Sequence, residues 1–299
     1  MARNRVLVLG ATGMLGSMVY RYFQKTHLKT AGTILKGEKK RVAGQSNIIQ
    51  FDAEASDAVL YRVLKTINPD WIINCIGIIK PYCKDDDPVG IRRAITVNAL
   101  FPFRLAELAQ KNNARVIQIA TDCVYSGRQG KYDEAAVHDP LDVYGKTKSL
   151  GEARADAMLH VRCSIVGPEP WTNVSLLAWF LSQPENVTLQ GYTHHHWNGV
   201  TTLQFAQCCE MIMQKGTDYF DSLVKMSPVH HFVPNKTVSK YRLLRIFKQV
   251  WKRRVKIVPA STPEAVDRTL DTSYHELVAK PKSRSMLEAL QALKDYYES

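Results

Sequence analysis

No apolar run in this sequence is long enough to cross a bilayer. The run from Trp71 to Ile79 has nine uncharged residues, under half of the roughly 20 that a membrane helix needs. A strand-like run opens at Arg5 and leaves no room for a signal peptide. A cytoplasmic protein with no membrane partner is therefore expected. Cysteine is sparse. Its six positions, Cys75, Cys83, Cys123, Cys163, Cys208 and Cys209, are scattered through apolar segments without paired metal-ligand spacing. This excludes a disulfide scaffold or a zinc module, predicts reduced and mostly buried thiols, and implies no metal. The adjacent Cys208 and Cys209 face different sides of a predicted helix and read as packing residues. Low-complexity linkers, internal repeats and abrupt composition shifts are also lacking.

Within 299 residues, 45% are hydrophobic and 23% charged. That allows one large or two fused globular domains with a proper core and rules out a disordered chain. The net charge is +12. It concentrates in "KGEKKR", Lys36 to Arg41, and in "SKYRLLRIFKQVWKRRVK", Ser239 to Lys256. In the second stretch Leu243, Leu244, Phe247, Val250 and Trp251 recur at helical spacing, so one face docks on a core and the basic residues stand opposite. No reader motif accompanies the charge, and no nucleic-acid partner is expected. Polyanionic small ligands account for a basic cleft equally well.

Strand-like runs at Arg5 to Leu9, Leu28 to Ile34, Asn47 to Phe51, Trp71 to Cys75, Arg115 to Ala120 and Leu159 to Ile165 alternate with helical stretches such as Leu60 to Thr66 and Arg92 to Gln110. This rhythm predicts an α/β fold of Rossmann type, a doubly wound parallel sheet. After about Gly167 the rhythm loosens. "GPEPWTN" and "GYTHHHWNG" read as loops around shorter helices at Val174 to Ser182 and Thr202 to Gln214. Residues 1–166, with 196–227 packing back on them, are expected to form the nucleotide-binding domain. Residues 167–195 and 228–299 are expected to form a smaller substrate-binding lobe at the carboxyl ends of the strands.

The first strand stops at a glycine. In "VLVLGATGMLG", Gly10, Gly13 and Gly16 recur at intervals of three, which lets the backbone approach a pyrophosphate while the next helix turns its free N–H groups towards the anion. Roughly twenty residues on, an NAD site usually has an acid at the end of the second strand. Here the polar candidates are Thr33 and Lys36, with Lys39, Lys40 and Arg41 beyond and Glu38 the one acid among them. A hydroxyl and ammonium groups would hold a 2′-phosphate, so NADPH is the expected cofactor, with NADH as the alternative.

Catalytic chemistry is suggested by "DVYGKTKSLGEARAD", Asp142 to Asp156, where Tyr144 and Lys148 stand four apart on one face of a predicted helix. A phenol has an ordinary pKa of about 10, and a neighbouring ammonium favours its phenolate, as an acid working near neutral pH requires. Upstream, "RVIQIATDCVYSG" ends a strand at Thr121, whose hydroxyl could reach the same substrate oxygen. In "ITVNALFPF", Asn98 precedes Pro102 by four residues. Proline has no N–H, so the Asn98 carbonyl is expected to be free to hold a water in a proton relay.

The glycine-rich turn, "INCIGI", "VNALFP", "IATDCVYSG", "YGKTKSLGE" and "VRCSIVG" follow one another in the order of the extended short-chain dehydrogenase/reductases. With the late "DRTLDTS", Asp267 to Ser273, the chain from 5 to 297 resembles the dTDP-4-dehydrorhamnose reductase family of that superfamily. The resemblance implies Thr121, Tyr144 and Lys148 as a catalytic triad with Asn98 in the relay. It implies a cofactor held by Gly10, Thr12, Gly13, Met14, Leu15, Gly16, Thr33, Lys36, Asp52, Ala53, Cys75, Ile76 and Gly77, together with Tyr144 and Lys148. Asp122, Cys123, Val124, Ile165, Asn173, His196 and Trp197 are the implied substrate contacts.

The activity implied is NADPH-dependent reduction of the C4 ketone of a nucleoside-diphosphate 4-keto-6-deoxy sugar, with that nucleotide sugar and a second copy of the chain as partners. Two alternatives stand beside it. One is a sugar-nucleotide epimerase or dehydratase, although dehydratases of the superfamily place an Asp-Glu pair where this chain has Asp122 and Cys123. The other is a cofactor-binding regulatory subunit like that of methionine adenosyltransferase. Ile165 stands where rhamnose-forming relatives tend to carry Trp, and the His194 to Trp197 loop departs from their pattern.

Overall fold

The computed structural model describes residues 5–42, 44–45, 47–278 and 285–299. Seven strands make the main sheet: β1 (Arg5–Leu9), β2 (Lys29–Ile34), β3 (Ile48–Gln50), β4 (Trp71–Asn74), β5 (Arg115–Thr121), β6 (Met158–Cys163) and, after four short strands, Val229–His231. Those four are β7 (Ile165–Val166), β8 (Thr188–Tyr192), β9 (His195–Trp197) and β10 (Val200–Thr201), which makes Val229–His231 β11. All neighbours in the main sheet are parallel, in the order β11-β6-β5-β4-β1-β2-β3. The chain runs one way from β1 to β3 and the other way from β4 to β11. The strand order therefore reverses between β1 and β4, and a crevice opens at their carboxyl ends.

Helices cover both faces. On one face α1 (Met14–Gln24), α7 (Thr202–Lys215) and α8 (Thr217–Met226) bury Val19, Phe23, Phe205, Cys209 and Phe220 against Val6, Val8 and Ile73. On the other, α2 (Asp57–Ile67) and α4 (Phe101–Lys111) pack Leu60, Leu64, Leu105 and Ala109 on Leu7, Leu9 and Ile72. Alternate residues of β1 thus enter opposite cores, and every one of Val6 to Leu9 is buried. The smaller lobe has its own core, in which α6 (Leu176–Leu181), α9 (Lys240–Val250) and α10 (Met286–Glu298) contribute Phe180, Leu243, Phe247 and Leu290. Its sheets pair β8 with β13 (Lys256–Ala260), and β9 with β12 (Val238–Ser239) and β14 (Val266–Asp267). The expectation that everything from 228 onward lies in that lobe is corrected by β11, which hydrogen-bonds to β6 in the main sheet. The loop read from "GYTHHHWNG" is likewise ordered as β8 and β9.

The single helix expected over Arg92 to Gln110 is three pieces: α3 (Pro88–Ala94), a π-helical turn (Ile95–Leu100) and α4. Pro102 cannot donate to the Asn98 carbonyl, and the helix widens there. The Phe101 N–H reaches back five residues to Thr96. Among the described residues no helix is long and apolar enough to cross a membrane.

Candidate active site

The crevice at the strand ends is a cavity of about 490 Å³, within the range of small-molecule sites. One end of it is backbone. Gly10 turns the chain with φ +81°, and its N–H donates to the Thr33 hydroxyl at 3.0 Å, while the Ala11 N–H donates to the Thr33 carbonyl at 2.8 Å. A Cβ on Gly16 would collide with the Gly10 carbonyl, so only glycine lets α1 start this close to the strand. The Gly13 N-cap has no side chain to satisfy the first N–H groups of α1, and the first turn carries no acid. Uncapped donors, a positive dipole end and a missing Cβ form a cradle that fits a pyrophosphate. Gly10, Thr12, Gly13, Met14, Leu15, Thr33, Asp52, Ala53, Cys75, Ile76 and Gly77 all line the cavity. Gly16 does not; it lies behind the turn it makes possible.

Beyond β2 the expected arrangement is corrected. Lys36 is exposed and does not line the cavity, and Thr33 is fully buried with its hydroxyl accepting from Gly10. Glu38 comes forward instead. Its carboxylate accepts from the Thr12 hydroxyl at 2.5 Å, the Leu35 N–H at 3.1 Å and the Arg41 guanidinium at 2.6 Å. The chain turns as a 3-10 helix over Glu38–Val42, which points Glu38 and Arg41 inward and leaves Lys36 outside. Across the opening, Trp171 of the smaller lobe lies 5.5 Å from the Arg41 guanidinium. Glu169 fixes the same segment by accepting from the N–H groups of Val174 and Ser175.

At the other end of the cavity stand Thr121, Tyr144 and Lys148. Helix α5 (Val143–Leu150) is capped by Asp142, which accepts from the Gly145 N–H at 2.8 Å and from Lys80 at 2.6 Å. Burial works to raise the Asp142 carboxyl, but the bonds from Lys80 and Gly145 outweigh it and hold the group below its usual range. Lys80 also lies 6.0 Å from the centre of the Tyr144 ring. The Tyr144 phenol is pushed well above its ordinary value by burial, with its hydrogen bond to the Thr121 hydroxyl pulling the other way. Thr121 also donates to Asp122 at 3.2 Å and accepts from the Cys123 N–H at 3.1 Å. Burial lowers Lys148 to about 8, and its ammonium donates to the Ile119 carbonyl at 3.0 Å. The expected depression of the phenol by Lys148 is therefore corrected: burial raises the phenol, and the nearby Cys123, Asp122 and Cys83 act in the same direction as burial.

Asn98 is buried behind the cavity wall rather than lining it. Its carbonyl abuts Gly151, where a Cβ would strike it. The side chain is the engaged part: Oδ1 accepts from the Ile78 N–H at 2.8 Å, and Nδ2 donates to the Ile78 carbonyl at 2.9 Å and to Thr147 at 3.2 Å. Asn98 thus ties the loop after β4 to α5. Asp122, Cys123 and Ile165 line the cavity, whereas the other expected substrate contacts do not. Val124 is buried in a cluster with Tyr125, Tyr132 and Leu270. Trp197 is a core residue of the smaller lobe. Asn173 and His196 are exposed. Lys80 and Trp171 are not read as site residues from the sequence, Arg41 stands there only beyond Lys36, and the basic residues around Glu38 obscure its place in the cavity.

Behind α5 a buried ion pair fixes the helix to the sheet. The Glu152 carboxylate accepts from Arg162 Nε at 3.1 Å and Nη2 at 2.6 Å. The same guanidinium donates to the Tyr125 hydroxyl at 2.7 Å, to His231 Nε2 at 2.6 Å and to His138 Nε2 at 2.9 Å. Arginine can only donate, so both imidazoles must be neutral with the proton on Nδ1. Burial, with Arg162 next in effect, lowers His231 to about 4.

A parallel sheet with a glycine cradle at its reversal point and a Thr, Tyr and Lys set beyond it defines an extended short-chain dehydrogenase/reductase-like protein. Residues 4–294 match the sequence model of the family described as RmlD substrate binding domain, and the chain belongs to that family. The mouse methionine adenosyltransferase 2 subunit beta is 32% identical over 149 residues, 50% of this chain and 42% of that protein. The dTDP-4-dehydrorhamnose reductase of Aggregatibacter actinomycetemcomitans is 28% identical over 149 residues, 50% of this chain and 45% of the relative. The matches thus span under half the length of these relatives. A solved dTDP-4-dehydrorhamnose reductase from Clostridium acetobutylicum shares the fold with a TM-score of 0.75 at 18% identity, covering 99% of this chain and 100% of that one. The Bacillus anthracis enzyme of the same name, solved in complex with NADP, gives 0.73 at 18%, covering 100% and 99%.

Proposed function

We propose that this chain reduces the C4 ketone of a nucleoside-diphosphate 4-keto-6-deoxy sugar with NADPH. One observation carries the reading: Thr121, Tyr144 and Lys148 share a cavity with a cradle fit for a dinucleotide. A nicotinamide bound there would supply hydride to the carbonyl carbon. Tyr144 donates its phenolic proton to the carbonyl oxygen as charge develops on it, and Thr121, lining the same cavity, orients that oxygen. Burial keeps the phenol protonated until it is needed. Lys148, on the same face of α5, stabilises the phenolate left behind. Asn98 acts as a positioning residue through Ile78 and Thr147. The smaller lobe supplies the nucleotide-sugar site through the 164–175 segment, and Arg41 takes the part of Lys36 beside the 2′-phosphate.

The test is NADPH oxidation with dTDP-, UDP- and GDP-linked 4-keto-6-deoxy sugars, in the parent and in Tyr144→Phe. A loss on the order of 10² to 10⁴ in rate is expected on removing the general acid. Turnover at the parent rate by the Phe variant overturns the assignment. A second reading, a regulatory subunit that holds the cofactor without turnover, draws on the 32% identity to the mouse adenosyltransferase subunit. Tight cofactor binding with no oxidation on any of the sugars would establish it.

A further inference from the structure

The outer face of α9 is used by nothing in the proposed reaction. Its inner face, with Leu243, Leu244, Phe247 and Val250, is spent on the core of the smaller lobe. Arg242, Arg245, Lys248 and Lys252 are exposed on the other side. No aspartate or glutamate occurs in the sequence between Asp221 and Glu264. Elsewhere on the surface acids answer bases, as in Arg93 with Glu54, Arg104 with Asp57 and Arg115 with Asp221. Like charges one turn apart on a helix repel, so α9 carries an electrostatic cost that its own sequence does not relieve.

These side chains are also gathered around a hollow. Arg242, Arg245, Lys248, Gln249, Lys252 and Arg253 line a cavity of about 470 Å³, with Ile257 its one apolar wall residue. Arg253 is a fixed wall, because its guanidinium is held by the Glu185 carboxylate at 2.9 Å and by the Gln183 carbonyl. Its Nε–H is buried and has no partner among the described residues. A concave surface lined by one sign of charge focuses the field and concentrates counter-ions. None of its residues belongs to the cofactor cavity.

We propose that this hollow is a second ligand site, one that binds the phosphate chain of a small polyphosphorylated molecule. Three arginines and two lysines offer forked and point-charge donors to several phosphates at once. The hollow contains no aromatic side chain on which a base could stack, and single-stranded nucleic acid sites depend on such platforms. A compact polyanion therefore fits better than a polymer, and its recognition is by phosphate count. Free inorganic polyphosphate and the tail of a nucleoside triphosphate share this chemistry.

The experiment is calorimetric titration of the full chain with inorganic tripolyphosphate at about 150 mM salt, with ATP and AMP as further arms. With the cofactor cavity filled by saturating NADPH in every titration, the parent should bind tripolyphosphate at one site. The double variant Arg245→Ser/Lys248→Ser should lose roughly tenfold or more in affinity, while Arg41→Ala, in the cofactor cavity, should bind as the parent does. Both serines replace exposed side chains, and an unchanged thermal melt confirms that the fold is intact. ATP equal to tripolyphosphate, with AMP much weaker, identifies the phosphate chain as the feature read; ATP clearly tighter identifies a nucleotide as the source. Three results overturn the proposal: no binding below about 1 mM, affinity that survives in the double variant, or loss that tracks Arg41→Ala. Binding of an RNA oligonucleotide or of phosphatidylserine vesicles that tripolyphosphate cannot displace overturns it as well.

Discussion

Burial sets the proton chemistry of the two side chains that share a face of α5. Lys148, with an ordinary value of 10.5, falls to about 8. Between those two pH values the unfolded chain binds more protons at this position than the folded one, so stability rises with pH across that window. Below pH 8 the full cost of burying the ammonium is present. Lys148→Met should therefore raise Tm at pH 7, by about 2–4 °C for each kcal/mol relieved, and the gain should vanish towards pH 10.5. Calorimetry at both ends of the window decides it, and a Met variant no more stable than the parent at pH 7 would show that the ammonium is not strained. Glu38 offers a second test at this scale. Its carboxylate holds Arg41 and faces the cavity, where it would repel a 2′-phosphate. Glu38→Gln should strengthen NADPH relative to NADH by roughly tenfold, the effect of removing one opposing charge. Arg41→Ala should shift the ratio the other way, and dissociation constants for both cofactors in the two variants provide the reading.

Helix α5 is held at both ends, by the Asp142 cap with Lys80 and by the ion pair of Glu152 with Arg162 just beyond its last turn. The Arg162 side chain is 2% exposed and that of Glu152 is 9%. Removing one partner leaves the other charge buried and unanswered. Arg162→Leu should cost about 3–5 kcal/mol and lower Tm on the order of 10 °C. Arg162→Leu with Glu152→Leu should recover part of that loss, because the stranded carboxylate is gone. If the double variant melts below the single one, the loss comes from packing and from the orphaned Tyr125 and His231 instead. The glycine turn is the comparable element at the other end of the cavity. There the close approach of α1 to β1 is a steric matter, settled by the missing Cβ of Gly16.

At the scale of the whole molecule the cavity belongs to two parts of the chain. The main sheet and α5 supply the glycine turn, Thr121, Tyr144 and Lys148, and the segment of the smaller lobe around Glu169 and Trp171 closes one side against Arg41. Trp171 is 46% exposed and lines the cavity, so a bound dinucleotide should change its surroundings more than those of the buried Trp71 and Trp197. Titration with NADPH should quench tryptophan emission, and Trp171→Phe should abolish most of that change while leaving the fold intact. Quenching that persists unaltered in the variant would place the dinucleotide elsewhere.

The main sheet was legible because strand runs and glycine spacing are local patterns: Val6 to Leu9 read as a buried strand, and Gly10, Gly13 and Gly16 as its turn, before any long-range contact is considered. The grouping of Tyr144 with Lys148 was legible for the same reason, since a helix puts residues four apart on one face. What only the tertiary structure decided depends on rotation and on distant pairing. Whether Lys36 or Glu38 faces the cavity turns on a short 3-10 helix that rotates the chain after β2. Whether Val229 to His231 joins the main sheet depends on a pairing with β6 about 70 residues earlier in the sequence. Val124 and Trp197 were drawn inward because apolar burial outweighs any contact they could make in the cleft. A run of basic residues in the sequence likewise says only that one face of α9 is charged; that the face is concave follows from where the segment carrying Arg253 and Ile257 packs beside it.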